Sequence, residues 1–304
     1  MTPALRVVAP GLLTTVQDAG RPHAMASGVP PGGAMDRFAY QAGNLLVGND
    51  RGAAALECTL RGPRLVALRA CLVAITGADL EPRVSGRPVP MWSVFALEEG
   101  DELAFGARRL GARAYVAVDG GIAADRWLGS VSTNLMVGRG GMQGRALIAG
   151  DVISTGEQKT RTIPGRGLAE AMRPAYADRT LHAVAGPHTS RDSLFDATFQ
   201  VSPDSNRMGY RLDGRRLEAS GDEVLSFGLV AGAVQLPSGG RPILLMADHQ
   251  TAGGYPVIAV VASASMPVAA QLAPGDEVRF VETTVEKALA MRAAQRSALD
   301  SLTS

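Results

Sequence analysis

The chain has 304 residues, with 30 Lys and Arg against 29 Asp and Glu and a formal net charge of +1. Its 46% hydrophobic residues furnish a proper core and exclude disorder and collagen-like repetition, while the near-neutral balance argues against a nucleic-acid binder. The 36 glycines and 18 prolines point to many tight turns between short strands.

In chain order, the first thirteen residues carry one arginine and no apolar run long enough for a signal peptide. β-type runs bounded by Gly, Pro or Asp are predicted at 5–9, 65–68, 72–76, 95–97, 102–105 and 114–118. A helix is predicted over 35–46, after the Gly32-Gly33 turn, because Phe38, Ala42, Leu45 and Leu46 fall at helical spacing. A Gly-rich stretch at 138–151 closes this half, and the mixed, weakly periodic segment 156–178 reads as a linker with a short helix within 167–172. Strands resume at 181–184, 199–201, 233–236, 243–247 and 257–261. From Glu282 onward the chain is helical in composition, with Val285, Ala288, Leu289, Arg292 and Leu299 on one face. The expected organisation is thus a mainly β protein with a few short helices, in two domains, 1–155 and 179–304.

An internal similarity bears on the same point: GDELAF at 100–105 returns as GDEVRF at 275–280. Gly-Asp-X-hydrophobic is a common entry into a strand, but the flanking segments also align loosely, which favours two related β-barrel halves. The most apolar stretch, 257–264, is too short for a membrane span. Cys58 and Cys71 make no disulfide framework, and a cytoplasmic location with no membrane or nucleic-acid partner is expected.

Four clusters gather polar residues around glycines. The first runs from Thr15 through Gln17, Asp18 and Arg21 to Gly32, Gly33 and Asp36. Asp36 suits either the first turn of the predicted helix or a site at its N-terminus. The second joins Ser130, Ser132 and Thr133 to the glycines of 140–144, as a backbone anion cradle or as plain turns. The third, Ser205 to Leu212, sets Arg207 and Arg211 four apart behind Ser205 and Asn206, either a bidentate clamp for a planar carboxylate or a solvated turn. The fourth, DHQTAGGYP at 248–256, follows an apolar strand and holds Asp248, His249, Gln250, Thr251, Gly253 and Tyr255. No metal site is expected: His23, His182, His188 and His249 lack metal-pair spacing, and neither cysteine lies in a C-x-x-C. The only lysines are Lys159 and Lys287, and no Gly-Lys pair exists, so there is no Walker-type phosphate loop.

These clusters, with GLLTTVQDAGR at 11–21, GGAMD at 32–36, ALECTLRGP at 55–63, ITGAD at 75–79, AVDGGI at 117–122, SNRMGYRL at 205–212, GAVQLPSGGRPI at 232–243 and DHQTAGGYP, resemble the biotin-dependent carboxyltransferase-like family. Its members include the C subunit of 5-oxoprolinase, KipA-type antagonists of a kinase inhibitor, the second subunit of allophanate hydrolase and the carboxyltransferase part of urea carboxylase. The resemblance covers roughly residues 5–285. It implies two cyclophilin-like β-barrel domains and two kinds of partner, a KipI-like one (the B subunit) and a LamB/YcsF-like one (the A subunit). The chain departs from the family at Val131, where arginine is frequent, at Ala252, where threonine is frequent, and at Ser265, where an acidic residue is expected.

The function this implies is the C subunit of an ATP-dependent 5-oxoprolinase, which opens a cyclic amide to L-glutamate. The alternatives are a subunit of a biotin-dependent carboxyltransferase and a non-catalytic KipA-like regulator. ATP is expected at the level of the complex, in or shared with a partner, and biotin only under the carboxyltransferase alternative. The candidate catalytic residues are Gln17, as an oxyanion donor, and Asp18 or Asp248, as base or arginine-orienting group. The candidate substrate-binding residues are Arg21, Asp36, Ser205, Asn206, Arg207, Arg211, Gln235, Gln250, Thr251, Gly253 and Tyr255.

Overall fold

A computed structural model describes residues 1–157, 162–218 and 224–303; Lys159 and the early part of the expected linker, 158–161, lie outside these. The chain forms two compact units. One comprises residues 1–20, 36–173 and 297–304, the other residues 21–35 and 174–296.

In the first unit the strands form two sheets. The seven-stranded sheet runs in the order Ile122–Ala123, Val152–Thr155, Thr2–Ala9, Arg64–Ala67, Glu102–Ala104, Arg83–Val84, Arg87–Pro88. The five-stranded sheet runs Leu13–Gln17, Ala55–Thr59, Leu110–Val118, Cys71–Asp79, Val94–Leu97. One apolar core, including Leu5, Val7, Leu56, Leu65, Ile75, Leu97, Leu103 and Val116, takes side chains from both. The predicted first helix is Arg37–Leu46, starting later than expected because Asp36 caps it: Asp36 Oδ1 accepts from Ala39 N at 2.9 Å. It packs on the strands Cys71–Asp79 and Leu110–Val118, with Thr76 Oγ1 donating to the Ala39 carbonyl at 2.7 Å. Residues 166–168 are tied by backbone bonds to Trp92 and Val94, and the expected short helix is the 3-10 turn Glu170–Met172.

The second unit is a closed seven-stranded barrel, in the order Thr180–Ala185, Val257–Val261, Ala233–Gln235, Ile243–Leu245, Gly209–Gly214, Thr198–Val201, Glu277–Glu282. It closes where Thr180–Ala185 meets Glu277–Glu282 in parallel, Leu181 opposite Phe280. Alternate residues point inward, so Leu181, Phe199, Tyr210, Leu212, Val234, Leu244, Val278 and Phe280 fill the interior; Phe199 and Phe280 meet edge to face at 6.1 Å. The C-terminal helix is Val285–Asp300. Its expected apolar face is corrected: Leu299 is buried, but Val285 and Leu289 are more than half exposed.

The sequence repeat is matched by hydrogen bonds. Gly100 N donates to the Ala67 carbonyl at 2.9 Å, and Gly275 N to the Val201 carbonyl at 2.8 Å. Asp101 Oδ2 accepts from Glu98 N, and Asp276 Oδ2 from Ala273 N, each at 2.9 Å. The same aspartate-closed turn therefore leads into a strand once in each unit.

Candidate functional site

Two polar assemblies stand out, one in each unit. In the first, the strand Leu13–Gln17 is buried from Thr14 onward and delivers Gln17 and Asp18 into the interior. Asp18 Oδ1 accepts from Gly20 N at 2.8 Å and from the hydroxyls of Ser130 and Ser132 at 2.6 Å each, while Oδ2 accepts from Val131 N at 2.7 Å. Four donors on one carboxylate hold it as a structural hub. Ser130 and Ser132, which sequence reasoning left outside the candidate set, are its partners, and their S-x-S spacing was the available signal.

Gln17 is 1% exposed, and its amide nitrogen donates to Thr15 Oγ1 at 3.0 Å and to the Thr133 carbonyl at 3.3 Å. The carbonyl partner fixes which end of the amide is nitrogen, so Gln17 presents its oxygen, an acceptor, rather than the donor an oxyanion requires. Nearby, Tyr115 Oη donates to Glu57 Oε2 and accepts from Asp36 N, both at 2.7 Å. Burial, with the Glu57 charge beside it, pushes the Tyr115 phenol well above its usual value. Burial and the Asp18 charge do the same to Tyr40.

The second cluster, at 130–145, forms no open anion cradle. Thr133 N and Leu147 N donate to the carbonyls of Val16 and Thr14, lacing the segment along the strand Leu13–Gln17. A methyl on Gly144 would stand 2.0 Å from the Gly138 carbonyl carbon, and one on Gly141 would stand 1.9 Å from Thr133 Oγ1. These glycines serve close backbone packing.

In the second unit, Arg207 and Asp248 form a two-point ion pair: Nε to Oδ2 is 2.8 Å and Nη2 to Oδ1 is 3.2 Å. Arg207 Nη2 also donates to the Gly33 carbonyl at 2.6 Å. The backbone repeats the link, since Asp248 N donates to the Arg207 carbonyl and Gly32 N to the Ala247 carbonyl. Arg21 is fully buried, and a methyl on Gly32 would lie 2.9 Å from Arg21 Nη1 and 3.6 Å from Asp248 Oδ1. Arg21, Arg207 and Asp248, far apart in sequence, thus converge on Gly32–Gly33.

Arg211 goes elsewhere. It lies on the outer side of the strand Gly209–Gly214, between inward Tyr210 and Leu212, and its Nη1 donates to the Asp204 carbonyl at 3.0 Å. Ser205 Oγ accepts from Arg211 N, and Asn206 Oδ1 from Met208 N, so both side chains shape the turn before that strand. Beyond Asp248, the His249 ring meets the Gln250 carbonyl through Nδ1 at 2.6 Å. Gln250 Nε2 reaches Gln235 Oε1 at 3.4 Å beside Gly253. Thr251 is half-buried and Tyr255 exposed on the same loop. Among the described residues, no group of three or more His, Cys, Asp or Glu is placed to hold a metal, and no helix is long and apolar enough to cross a membrane.

A family model described as "Carboxyltransferase domain, subdomain A and B" matches residues 27–282. The chain is 38% identical to the C subunit of 5-oxoprolinase from Escherichia coli, over 98% of this chain and 97% of that protein. It is 33% identical to the protein of the same name from Haemophilus influenzae, over 95% and 94%. Urea amidolyase of Lachancea kluyveri is 31% identical over 98% of this chain but only 18% of that protein. The crystal structure of the K. lactis urea amidolyase superposes with a TM-score of 0.92 at 28% identity, covering 99% of this chain and 20% of that one. The chain therefore spans about a fifth of the length of those amidolyases.

Proposed function

Because the chain belongs to the family of carboxyltransferase domains with subdomains A and B, we propose that it is the C subunit of an ATP-dependent 5-oxoprolinase. In this reading it works with KipI-like and LamB/YcsF-like partners to hydrolyse 5-oxoproline to L-glutamate. The carrying observation is the 38% identity to the C subunit of 5-oxoprolinase along nearly the full length of both proteins. The urea amidolyase likeness covers only a fifth of a larger protein.

The site chemistry supports this reading. A lactam is resonance-stabilised and its carbonyl oxygen is a poor leaving group, so its opening needs the free energy that ATP supplies. The Gly-rich stretch packs against its own backbone and the sequence has no Gly-Lys pair, which favours a partner as the holder of the nucleotide. Two guanidinium groups and one carboxylate at Gly32–Gly33 suit the α-carboxylate of the substrate. Asp248 fixes the plane of Arg207 and thereby serves as its positioning residue.

The test is co-expression with both partners, followed by measurement of ATP-dependent glutamate release from 5-oxoproline. Glutamate release that requires all three proteins is the expected result. No release, together with carboxylation of urea by a carboxybiotin-charged carrier, overturns the reading in favour of carboxyl transfer.

A further inference from the structure

The first unit carries an open cleft of about 430 Å3 that shares no residue with the Asp18 or the Arg207–Asp248 assembly. That volume falls in the range of small-molecule sites. The short hairpin of Arg83–Val84 and Arg87–Pro88, at the end of the seven-stranded sheet, supplies part of its lining. Val89 and Met91 follow the hairpin; they pack against the core yet are only partly buried. With Pro82 and Pro88 they give the cleft an apolar surface.

The charged groups of the cleft are not equally available. Glu81 Oε1 accepts from Arg109 Nε at 2.8 Å and from Arg109 Nη2 at 2.5 Å, and Glu81 Oε2 accepts from Ala107 N at 3.0 Å. Asp79 Oδ1 accepts from Glu81 N at 2.9 Å. Both carboxylates are thus already engaged. Arg83 spends only Nη1, on the Gly86 carbonyl at 3.3 Å. Arg109 Nη1 and Arg83 Nε and Nη2 have no protein partner among the described residues.

The backbone is strained to keep this arrangement. Glu81 holds φ at +51°, a left-handed conformation unfavourable to any residue with a Cβ. Glycine would relieve the strain, but only a side chain that reaches both Ala107 N and the Arg109 guanidinium fixes that arginine at the cleft. Position 106 makes room for it, since a methyl on Gly106 would stand 2.6 Å from Glu81 Oε2. Strain held in place by its surroundings points to a function for the group it positions.

We infer that this cleft binds a small monocarboxylate with an apolar body. The two carboxylate oxygens match the free N–H donors of two guanidinium groups, and charge assistance favours them over an alcohol. The apolar body covers Val89, Met91 and the two prolines. Two acidic and two basic side chains leave the lining neutral, so the free donors and not a net field select the ligand. A cation would meet only carboxylates that already accept N–H bonds. The inference is independent of the proposed function.

The experiment titrates the full-length chain, 13C-labelled at its methionine methyl groups, with hexanoate, hexan-1-ol, hexylammonium and acetate. The Met91 resonance is assigned by its loss in Met91→Leu. Hexanoate is expected to move it saturably at about millimolar concentration, the strength open to a ligand of this size. Hexan-1-ol should bind at least about threefold more weakly, the scale of an exposed charge pair, and hexylammonium no better than the alcohol. Acetate, which lacks the apolar body, should leave the resonance in place. Arg83→Gln/Arg109→Gln should bring hexanoate down to the affinity of hexan-1-ol and leave that of hexan-1-ol unchanged, a split that a mere change in the shape of the cleft would not produce. The other methionine methyls report whether the fold is kept; where the double variant moves them, the single variants decide.

The absence of a saturable shift at Met91 overturns the inference. So does hexan-1-ol, hexylammonium or acetate binding as tightly as hexanoate, or a hexanoate affinity that ignores both arginines.

Discussion

Arg207 and Asp248 lie 41 residues apart in sequence and meet through two parallel hydrogen bonds, with Arg207 11% and Asp248 18% exposed at the side chain. At this burial the pair is only partly screened, and removing one partner strands the other's charge near the protein interior. Arg207→Ala and Asp248→Ala should each destabilise the protein by roughly 1–3 kcal/mol. The double variant should fall short of their sum, giving a coupling of about 1–2 kcal/mol. Urea unfolding of the four proteins measures this, and additive losses would mean that the pair is not a coupled unit. Arg207→Lys keeps the charge but cannot reproduce the two-point geometry, so it should recover only part of the loss.

Asp18 offers a contrast, because hydroxyl and backbone donors surround it in place of a cation. Asp18→Asn turns one acceptor oxygen into a donor that faces other donors. A loss of roughly 2–3 kcal/mol is expected, the scale of breaking hydrogen bonds to a buried charge. The readout is the urea midpoint. A full loss of activity at an unchanged midpoint would instead restore the general-base role for Asp18. The double variant Ser130→Ala/Ser132→Ala should weaken the same hub and lower the midpoint without removing the carboxylate.

The strands legible in the sequence show either a wet face or a continuous apolar run: Thr198–Val201 alternates exposed and buried, whereas Leu110–Val118 and Val257–Val261 are buried almost throughout and read as apolar runs. The strand Leu13–Gln17 was not legible, because it is buried on both faces while carrying Thr14, Thr15 and Gln17, so its composition imitates a polar loop. Ala55–Thr59 is hidden in the same way: its buried Glu57 is satisfied by Tyr115 Oη, a contact no local pattern announces. For the site, Arg207 and Asp248 were individually visible as charged residues beside glycines. Their partnership, and the parting of Arg211 from it, depends on how the barrel brings Gly209–Gly214 alongside Ile243–Leu245. Asp36, open to two readings in the sequence, caps its helix because its side chain lies three residues before an unpaired helical N–H.

Gly138 and Gly144 separate backbone strain from lack of space. Both hold positive φ, +61° and +71°, yet a methyl on Gly138 meets open space whereas one on Gly144 overlaps the Gly138 backbone at 2.0 Å. Gly138→Ala should therefore cost about 1 kcal/mol, the left-handed conformation alone. Gly144→Ala should cost about 3 kcal/mol or more, because backbone atoms must move. Paired thermal melts compare the two, and equal losses would show that the glycine-rich stretch does not depend on close packing.

The two cysteines set the alkaline limit of stability. Cys58 is fully buried and its thiol is pushed up to about 12, chiefly by burial; Cys71, 5% exposed, rises to about 11 for the same first reason. Both values exceed the ordinary thiol value near 9, so the folded chain holds these protons more tightly than the unfolded chain does. The stability this difference represents is intact below pH 9 and is lost as the unfolded thiols ionise, by up to about 1.4 kcal/mol per pH unit for each thiol. The buried phenols of Tyr40 and Tyr115, also raised, add to the loss only above their higher ordinary value near 10. The interval from pH 9 to 10 therefore belongs to the cysteines, and urea midpoints of the parent should fall across it while those of Cys58→Ala/Cys71→Ala stay nearly level. The same protonation predicts that a thiol reagent at pH 8 labels neither cysteine in the folded protein and both in urea. Rapid labelling of the native chain would show that at least one thiol is neither buried nor raised.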